Sequence, residues 1–154
     1  MVTFSRNKNK IKKEEMKTPF VPNHLHLIVK GYVKNPPRSE EVVNDWLSRL
    51  VEKVRMVVVA GPTSVYVNEP GNEGVTGTVT LATSHAAIHV WDAVTPAMFQ
   101  FDIYSCSEFT AAEVIEHLNE FGIISCEYIS IDRNGTRMTI KEQQELSFEA
   151  EVII

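Results

Sequence analysis

Two segments of this sequence carry the spacing of an amphipathic helix, while many more have the composition of β-strands, and this imbalance limits the fold. The first helix pattern follows Ser39, a suitable N-cap, and its apolar side chains recur every three or four residues. The second opens with Thr110 and Glu113, which have the spacing of a capping box, and ends at Gly122. Parallel strands need a long crossover, usually a helix, at each connection, so we expect a largely antiparallel sheet.

Strand-like segments fill most of the remaining chain. Within residues 97–106, Ala97, Phe99, Phe101 and Ile103 alternate with Met98, Gln100, Asp102 and Tyr104, and Asn134-Gly135 is a strong hairpin signal. We therefore predict an α+β two-layer sandwich with both helices on one face of the sheet. Phe99 and Phe101 indicate that the other face is buried against a second copy, which gives a dimer formed through the sheet. The predicted strands are 24–33, 56–67, 76–83, 85–91, 97–106, 124–132 and 136–140.

The charge of the chain is unevenly distributed, and this narrows the classes of partner. The net charge is −5, yet residues 1–17 carry six basic side chains against two acidic ones. We expect residues 1–18 to form a basic mobile leader and residues 19–154 to form an acidic domain. An acidic domain argues against nucleic acid as a partner, because that affinity depends on neutralising phosphates.

No apolar run approaches the roughly 18–20 residues that a membrane-spanning helix requires, so we expect a cytoplasmic protein without a membrane partner. The cysteines, Cys106 and Cys126, do not form a CxxC pair, which excludes a zinc site of the finger type.

Residues 74–107 contain three short motifs in a fixed order. They are Gly74-Val75-Thr76-Gly77, then Ser84-His85-Ala86-Ala87-Ile88-His89-Val90-Trp91, then Asp102-Ile103-Tyr104-Ser105-Cys106. This arrangement resembles the prokaryotic S-adenosylmethionine decarboxylase family, which makes the aminopropyl donor for spermidine. The resemblance is specific over these residues and extends more loosely to the first strand and the flanking helices.

The resemblance implies a self-processing enzyme with a covalent pyruvoyl cofactor. In the family, a serine hydroxyl attacks the preceding carbonyl, the chain is cleaved, and the serine becomes a pyruvoyl group. Here that residue is Ser84, with cleavage between Thr83 and Ser84. The pyruvoyl group forms a Schiff base with the substrate's amino group and accepts electrons as CO₂ leaves. By the same resemblance His89 and Thr76 assist processing, and Cys106 is the proton donor.

The spacing of these residues indicates that one chain cannot complete the site. On a straight strand Thr76 would lie about 26 Å from Ser84. The odd separation of Ser84 and His89 places their side chains on opposite faces of a strand. The family builds each site across a homodimer interface, and the resemblance therefore implies that a second protomer supplies His89 and Thr76.

The substrate-binding part of the family pattern is less complete. The family has an acidic residue in the first strand where this chain has Lys30, and a Pro-Glu after the tryptophan where this chain has Asp92-Ala93. An aromatic residue that stacks on adenine is also missing from the loop before Gly74, and Tyr66 is the nearest candidate. The carboxylates of Glu69, Glu73 or Asp92 could instead hold a basic side chain. We therefore expect S-adenosylmethionine as substrate, with ornithine or arginine as the alternative.

Two further hypotheses come from other functional classes. The first is an uncleaved, non-catalytic homologue that only dimerises with a processed partner, since Lys30 and Thr83 replace the family's glutamates. The second is a metal-binding module that uses His85, His89 and Cys106. The decarboxylase interpretation itself requires no metal.

Overall fold

The computed structural model describes residues 23–148. The predicted leader, residues 1–18, lies outside this range. The described chain contains seven strands and two α-helices, and neither helix is long and apolar enough to cross a membrane. In chain order the elements are β1 (Leu25–Val33), α1 (Glu40–Lys53), β2 (Val58–Val67), β3 (Gly74–Leu81), β4 (Ser84–Trp91), β5 (Ala97–Ser105), α2 (Ala111–Leu118), β6 (Ile123–Asp132) and β7 (Thr139–Ser147).

The seven strands form one antiparallel sheet in the order β2-β3-β4-β5-β1-β6-β7. The α+β fold with a largely antiparallel sheet is therefore confirmed. Strand β1 pairs with both β5 and β6, so the first strand of residues 23–148 lies inside the sheet. The β3–β4 hairpin and β5 are neighbours, which brings all three sequence motifs together on adjacent strands.

The two helices cover one face of the sheet, and their predicted caps are present. The Ser39 hydroxyl accepts a hydrogen bond from the Val42 amide at the start of α1, and Thr110 and Glu113 complete a capping box on α2. The Trp46 ring of α1 packs edge-on against Phe101 of β5, 5.8 Å between ring centroids. Its indole N–H donates to the carbonyl oxygen of His117 in α2, which fixes one helix against the other.

The alternation of β5 is confirmed, but one conclusion drawn from it was wrong. Phe99 and Phe101 are 1% and 2% exposed because they point toward the helices, into the core of this chain. They therefore give no reason to bury the opposite face. That opposite face, called the open face here, carries the polar set of β5 and the exposed side chains of Ile28 and Tyr32 on β1.

Two strand boundaries also differ from those predicted. Strand β3 ends at Leu81, not Thr83, because Ala82 and Thr83 form the tight turn to β4. Strand β7 runs over Thr139–Ser147, beyond the predicted residues 136–140, because it pairs along almost the whole of β6. Its mostly exposed side chains show little of the apolar alternation by which a strand is recognised in sequence.

Candidate active site

The turn between β3 and β4 places Thr83 in an unfavourable backbone conformation. Thr83 has φ = +58°, a left-handed value that glycine or asparagine usually adopts. For a β-branched residue this conformation costs about 1–2 kcal/mol. The peptide bond between exposed Thr83 and buried Ser84 therefore lies at a strained point of the chain.

At the end of β5, the backbone N–H and the thiol of Cys106 both contact the Ser84 hydroxyl. The backbone N–H of Cys106 donates to Ser84 Oγ at 3.1 Å, and Ser84 Oγ donates to Cys106 Sγ at 3.6 Å. The Thr83 hydroxyl contacts the same sulfur at 2.7 Å. The hydrogen bond between the Thr83 hydroxyl and Cys106 lowers the pKa of the Cys106 thiol below its usual value, although burial opposes this change. Ser84, Thr83 and Cys106 thus form one compact group, called the Ser84 group.

Thr76 and His89 form a separate pair on the open face. They are register partners on β3 and β4, and Thr76 Oγ1 lies 3.0 Å from His89 Nδ1. The straight-strand distance of about 26 Å from Thr76 to Ser84 was wrong, because the two residues lie on opposite arms of a hairpin. The pair is still five register steps from Ser84, or about 17 Å. As the odd spacing predicted, Ser84 faces the helices while His89 faces the open side.

The end of β4 farthest from Ser84 holds Asp92, and this carboxylate is already paired within the chain. The Tyr66 hydroxyl donates to both Asp92 oxygens, at 3.0 and 3.2 Å, and Arg38 Nη1 lies 3.3 Å from Oδ2. The Asp92 side chain is 3% exposed. Asp92 and Tyr66 therefore anchor the β2 and β4 ends to each other. Arg38 was not singled out from the sequence, since nothing in its neighbourhood marks a partner 54 residues away.

An apolar cavity of about 510 Å³ lies beside this anchor, where the open face meets the loop before β5. Tyr32, Trp91 and Met98 line it from three neighbouring strands, and Glu73 contributes a carboxylate at its edge. Aromatic walls with a few placed polar groups are typical of small-molecule sites of this size. Glu69 is exposed and does not line the cavity.

Comparison with known proteins identifies the family. The family model for S-adenosylmethionine decarboxylase matches residues 25–134. The chain is also 30% identical over 93 residues to the S-adenosylmethionine decarboxylase proenzyme of Archaeoglobus fulgidus, covering 60% of this chain and 78% of that protein. The chain belongs to the S-adenosylmethionine decarboxylase family.

A solved structure shares the fold of this family member. The crystal structure of the adenosylmethionine decarboxylase from Aquifex aeolicus superimposes with a TM-score of 0.59 at 20% sequence identity. The match covers 75% of this chain and 94% of that one. The family predicted from the three motifs is confirmed by these findings, and so is its fold.

The decarboxylase-family chain also carries a histidine cluster that the sequence did not reveal. His26, His85 and Asp102 meet on the open face, on strands β1, β4 and β5. The metal-binding set considered from the sequence, His85 with His89 and Cys106, is not brought together: His89 bonds to Thr76, and Cys106 lies with Ser84. His26 and Asp102 lie on the open face of two paired strands, β1 and β5. The sequence did not reveal this pairing, because it does not show where β1 lies in the sheet.

Proposed function

We propose that this chain is a self-processing, pyruvoyl-dependent decarboxylase of polyamine biosynthesis that acts on S-adenosylmethionine. The observation that carries the proposal is the Ser84 group. A buried serine hydroxyl contacts a thiol and a backbone N–H directly after a peptide bond whose preceding residue has φ = +58°. Membership of the decarboxylase family supplies the reaction class.

In the proposed processing step, Ser84 Oγ attacks the carbonyl carbon of Thr83, and the peptide bond becomes an ester as the nitrogen leaves. Loss of the Ser84 α-proton then expels the Thr83 carboxylate and leaves a dehydroalanine at residue 84. Water replaces the nitrogen, which departs as ammonia, so residues 84–154 begin with a pyruvoyl group. The two Cys106 contacts orient the Ser84 hydroxyl, and the strain at Thr83 favours the ester because the ester route through Oγ and Cβ of Ser84 is one atom longer than the amide and lets that φ angle relax.

In the proposed decarboxylation, the pyruvoyl group supplies an electron sink for the electron pair left by CO₂. Cys106 lies against residue 84 and delivers the proton to the substrate carbon. In the uncleaved chain the pKa of this thiol is lowered, chiefly by the hydrogen bond with Thr83. The uncleaved chain therefore already places Cys106, the proposed proton donor, beside the residue that would become the pyruvoyl group.

A homodimer completes the proposed site. Thr76 and His89 lie about 17 Å from Ser84 on the other face of the same hairpin, so they cannot reach its hydroxyl within one chain. The open face carries exposed Ile28 and Tyr32, and neither helix of residues 23–148 covers it. A second copy packed on this face in the opposite direction brings its Thr76–His89 pair toward the exposed Thr83 side of the scissile peptide bond, since the Ser84 hydroxyl itself faces the helices.

The cavity beside Trp91 lies at the end of β4 farthest from Ser84 of the same chain, so it is the proposed place for the nucleoside part of the substrate that reacts at Ser84 of the second copy. Its aromatic walls suit a purine ring, and the Glu73 carboxylate suits ribose hydroxyls or a positive charge. Asp92 is less suited to this role, because Arg38 and Tyr66 already occupy its oxygens. The Glu73 carboxylate at the cavity's edge makes ornithine or arginine the second candidate, since a carboxylate also holds an ammonium or guanidinium group.

Release of CO₂ from carboxyl-labelled substrates tests this proposal. S-adenosylmethionine, ornithine and arginine are offered separately to the purified chain, with Ser84→Ala as the inactive control. We expect S-adenosylmethionine to be decarboxylated, and Glu73→Gln to raise KM more than it lowers kcat. Release from ornithine or arginine alone would transfer the assignment to the second candidate. Release from none of the three by a cleaved chain would refute it.

A further inference from the structure

The cluster of His26, His85 and Asp102 brings three potential metal ligands to one point of the open face. His26 Nε2 lies 2.8 Å from Asp102 Oδ2, and His85 Nε2 lies 3.3 Å from the same oxygen. All three ligand atoms lie within 4.8 Å of one another. Neither Ser84 nor the Thr76–His89 pair belongs to this cluster, although His85 directly follows Ser84 in the chain.

The backbone holds this cluster rigidly. The three residues lie on adjacent strands, with His85 and His26 both in register with Tyr104 of β5. Asp102 lies two residues away on the same strand and therefore on the same face. Strand-borne ligands are positioned more precisely than ligands on loops. The Tyr104 ring packs 6.1 Å from His26 and 6.0 Å from His85 between centroids, which further restricts both imidazoles.

We propose that His26, His85 and Asp102 form a site for a divalent transition-metal ion such as Zn²⁺. Zinc bonds to imidazole nitrogen and carboxylate oxygen at about 2.0–2.2 Å, which places tetrahedral ligand atoms about 3.4 Å apart. The two distances to Asp102 Oδ2, 2.8 and 3.3 Å, would widen by about 0.6 and 0.1 Å to reach this separation. Two neutral imidazoles and one carboxylate are a donor set that zinc and its first-row neighbours prefer.

The site leaves at least one coordination position open. Three protein ligands and an exchangeable fourth position distinguish reactive zinc sites from closed structural ones. In the single chain the side chains of His26, His85 and Asp102 are 22%, 51% and 30% exposed, so an ion and a further small ligand can reach them before a second copy covers the open face. Calcium and magnesium fit less well, because they prefer sites made almost entirely of oxygen atoms.

The alternative is a hydrogen-bonded triad in which Asp102 accepts from both imidazoles without a metal. Calorimetric titration of the tag-free, chelator-treated chain with Zn²⁺ alone separates the two interpretations. We expect one ion per chain, and a loss of affinity of at least about tenfold in His26→Gln and Asp102→Asn. His24→Gln is the matched control, because His24 bonds to the Tyr104 hydroxyl next to the cluster and is not one of its ligands. It should retain the affinity of the parent chain.

A second measurement needs no variant and so does not depend on the folding of the substituted chains. Co²⁺ bound by two imidazoles and a carboxylate in a four-coordinate site gives strong visible absorption, which Zn²⁺ then displaces at equal stoichiometry. Saturable absorption at one ion per chain supports the proposal. Binding of less than one ion per chain, absence of the visible bands, or unchanged affinity in both ligand variants would overturn it.

Discussion

The left-handed conformation of Thr83 makes a quantitative prediction about self-cleavage. If the strain at φ = +58° is released on the path to the ester, replacing Thr83 by glycine removes that contribution from the uncleaved chain. The left-handed conformation costs a residue with a Cβ about 1–2 kcal/mol more than glycine, which corresponds to roughly a 5- to 30-fold change in rate. We therefore expect Thr83→Gly to cleave more slowly by that factor.

The matched control for this change is Thr83→Ala. Both variants lose the hydroxyl that contacts Cys106 Sγ, but alanine keeps the Cβ and with it the strain. The ratio of the two cleavage rates therefore isolates the backbone contribution. Synthesis in a cell-free system, with the label chased after a short pulse, lets the full-length band be followed on a denaturing gel.

The same comparison has a stability counterpart in uncleaved protein. In a Ser84→Ala background, Thr83→Gly should unfold with a free energy about 0.5–1 kcal/mol higher than Thr83→Ala, after the greater chain entropy of glycine is subtracted. If glycine is the more stable residue but cleaves as fast as alanine, the strain exists without driving cleavage. If it is neither more stable nor slower, the reasoning about Thr83 fails altogether.

Three other changes test separate parts of the structure. Cys106→Ser should lower the turnover of the cleaved enzyme by about 10²–10⁴-fold, because the hydroxyl is a far weaker acid; unchanged single-turnover kinetics would exclude Cys106 as the proton donor. Glu113→Gln should destabilise the chain by about 1 kcal/mol at pH 7, since the Arg55 hydrogen bond holds the pKa of Glu113 at about 2 in the fold against 4.5 normally. That stabilisation is complete above pH 4.5 and is lost as the pH falls toward 2. The free energies of urea unfolding of the parent chain and Glu113→Gln should therefore become equal in acid, and a difference that stays constant with pH would contradict the stabilising role of Glu113. Gly74→Ala should cost more than about 3 kcal/mol in urea unfolding, because a Cβ there would lie 1.7 Å from the Val90 carbonyl oxygen, whereas Gly135→Ala, with no atom nearer than 3.7 Å, should be nearly neutral.

Local patterns were sufficient to predict the fold class. The caps at Ser39 and Thr110, the alternation of β5 and the two helix stripes depend on neighbours in sequence, and each is present in the structure. Which face of the sheet is open was harder to predict. The direction in which Phe99 and Phe101 point could be predicted only if the position of the helices was known, and that position depends on long-range packing of residues such as Trp46.

The candidate site shows the same division between local and long-range information. The three motifs located Ser84, Thr76, His89 and Cys106, but the distances between them depended on a turn at Ala82 and Thr83. That turn has no glycine or asparagine to mark it, because the strained residue is a threonine. The pairings of Asp92 with Arg38 and of His26 with Asp102 join residues far apart in sequence. Only the order of strands in the sheet brings such residues together.

Intact mass spectrometry of the purified chain tests the central claim that Ser84 becomes the cofactor. We predict two polypeptides, residues 1–83 and residues 84–154. Because a pyruvoyl group replaces its amino-terminal serine, the second polypeptide should be lighter, by the mass of one ammonia molecule, than the fragment that simple hydrolysis would give. Ser84→Ala should give one uncleaved species. A single polypeptide of 17.4 kDa from the unsubstituted chain would contradict the account and favour a non-catalytic partner of a processed homologue.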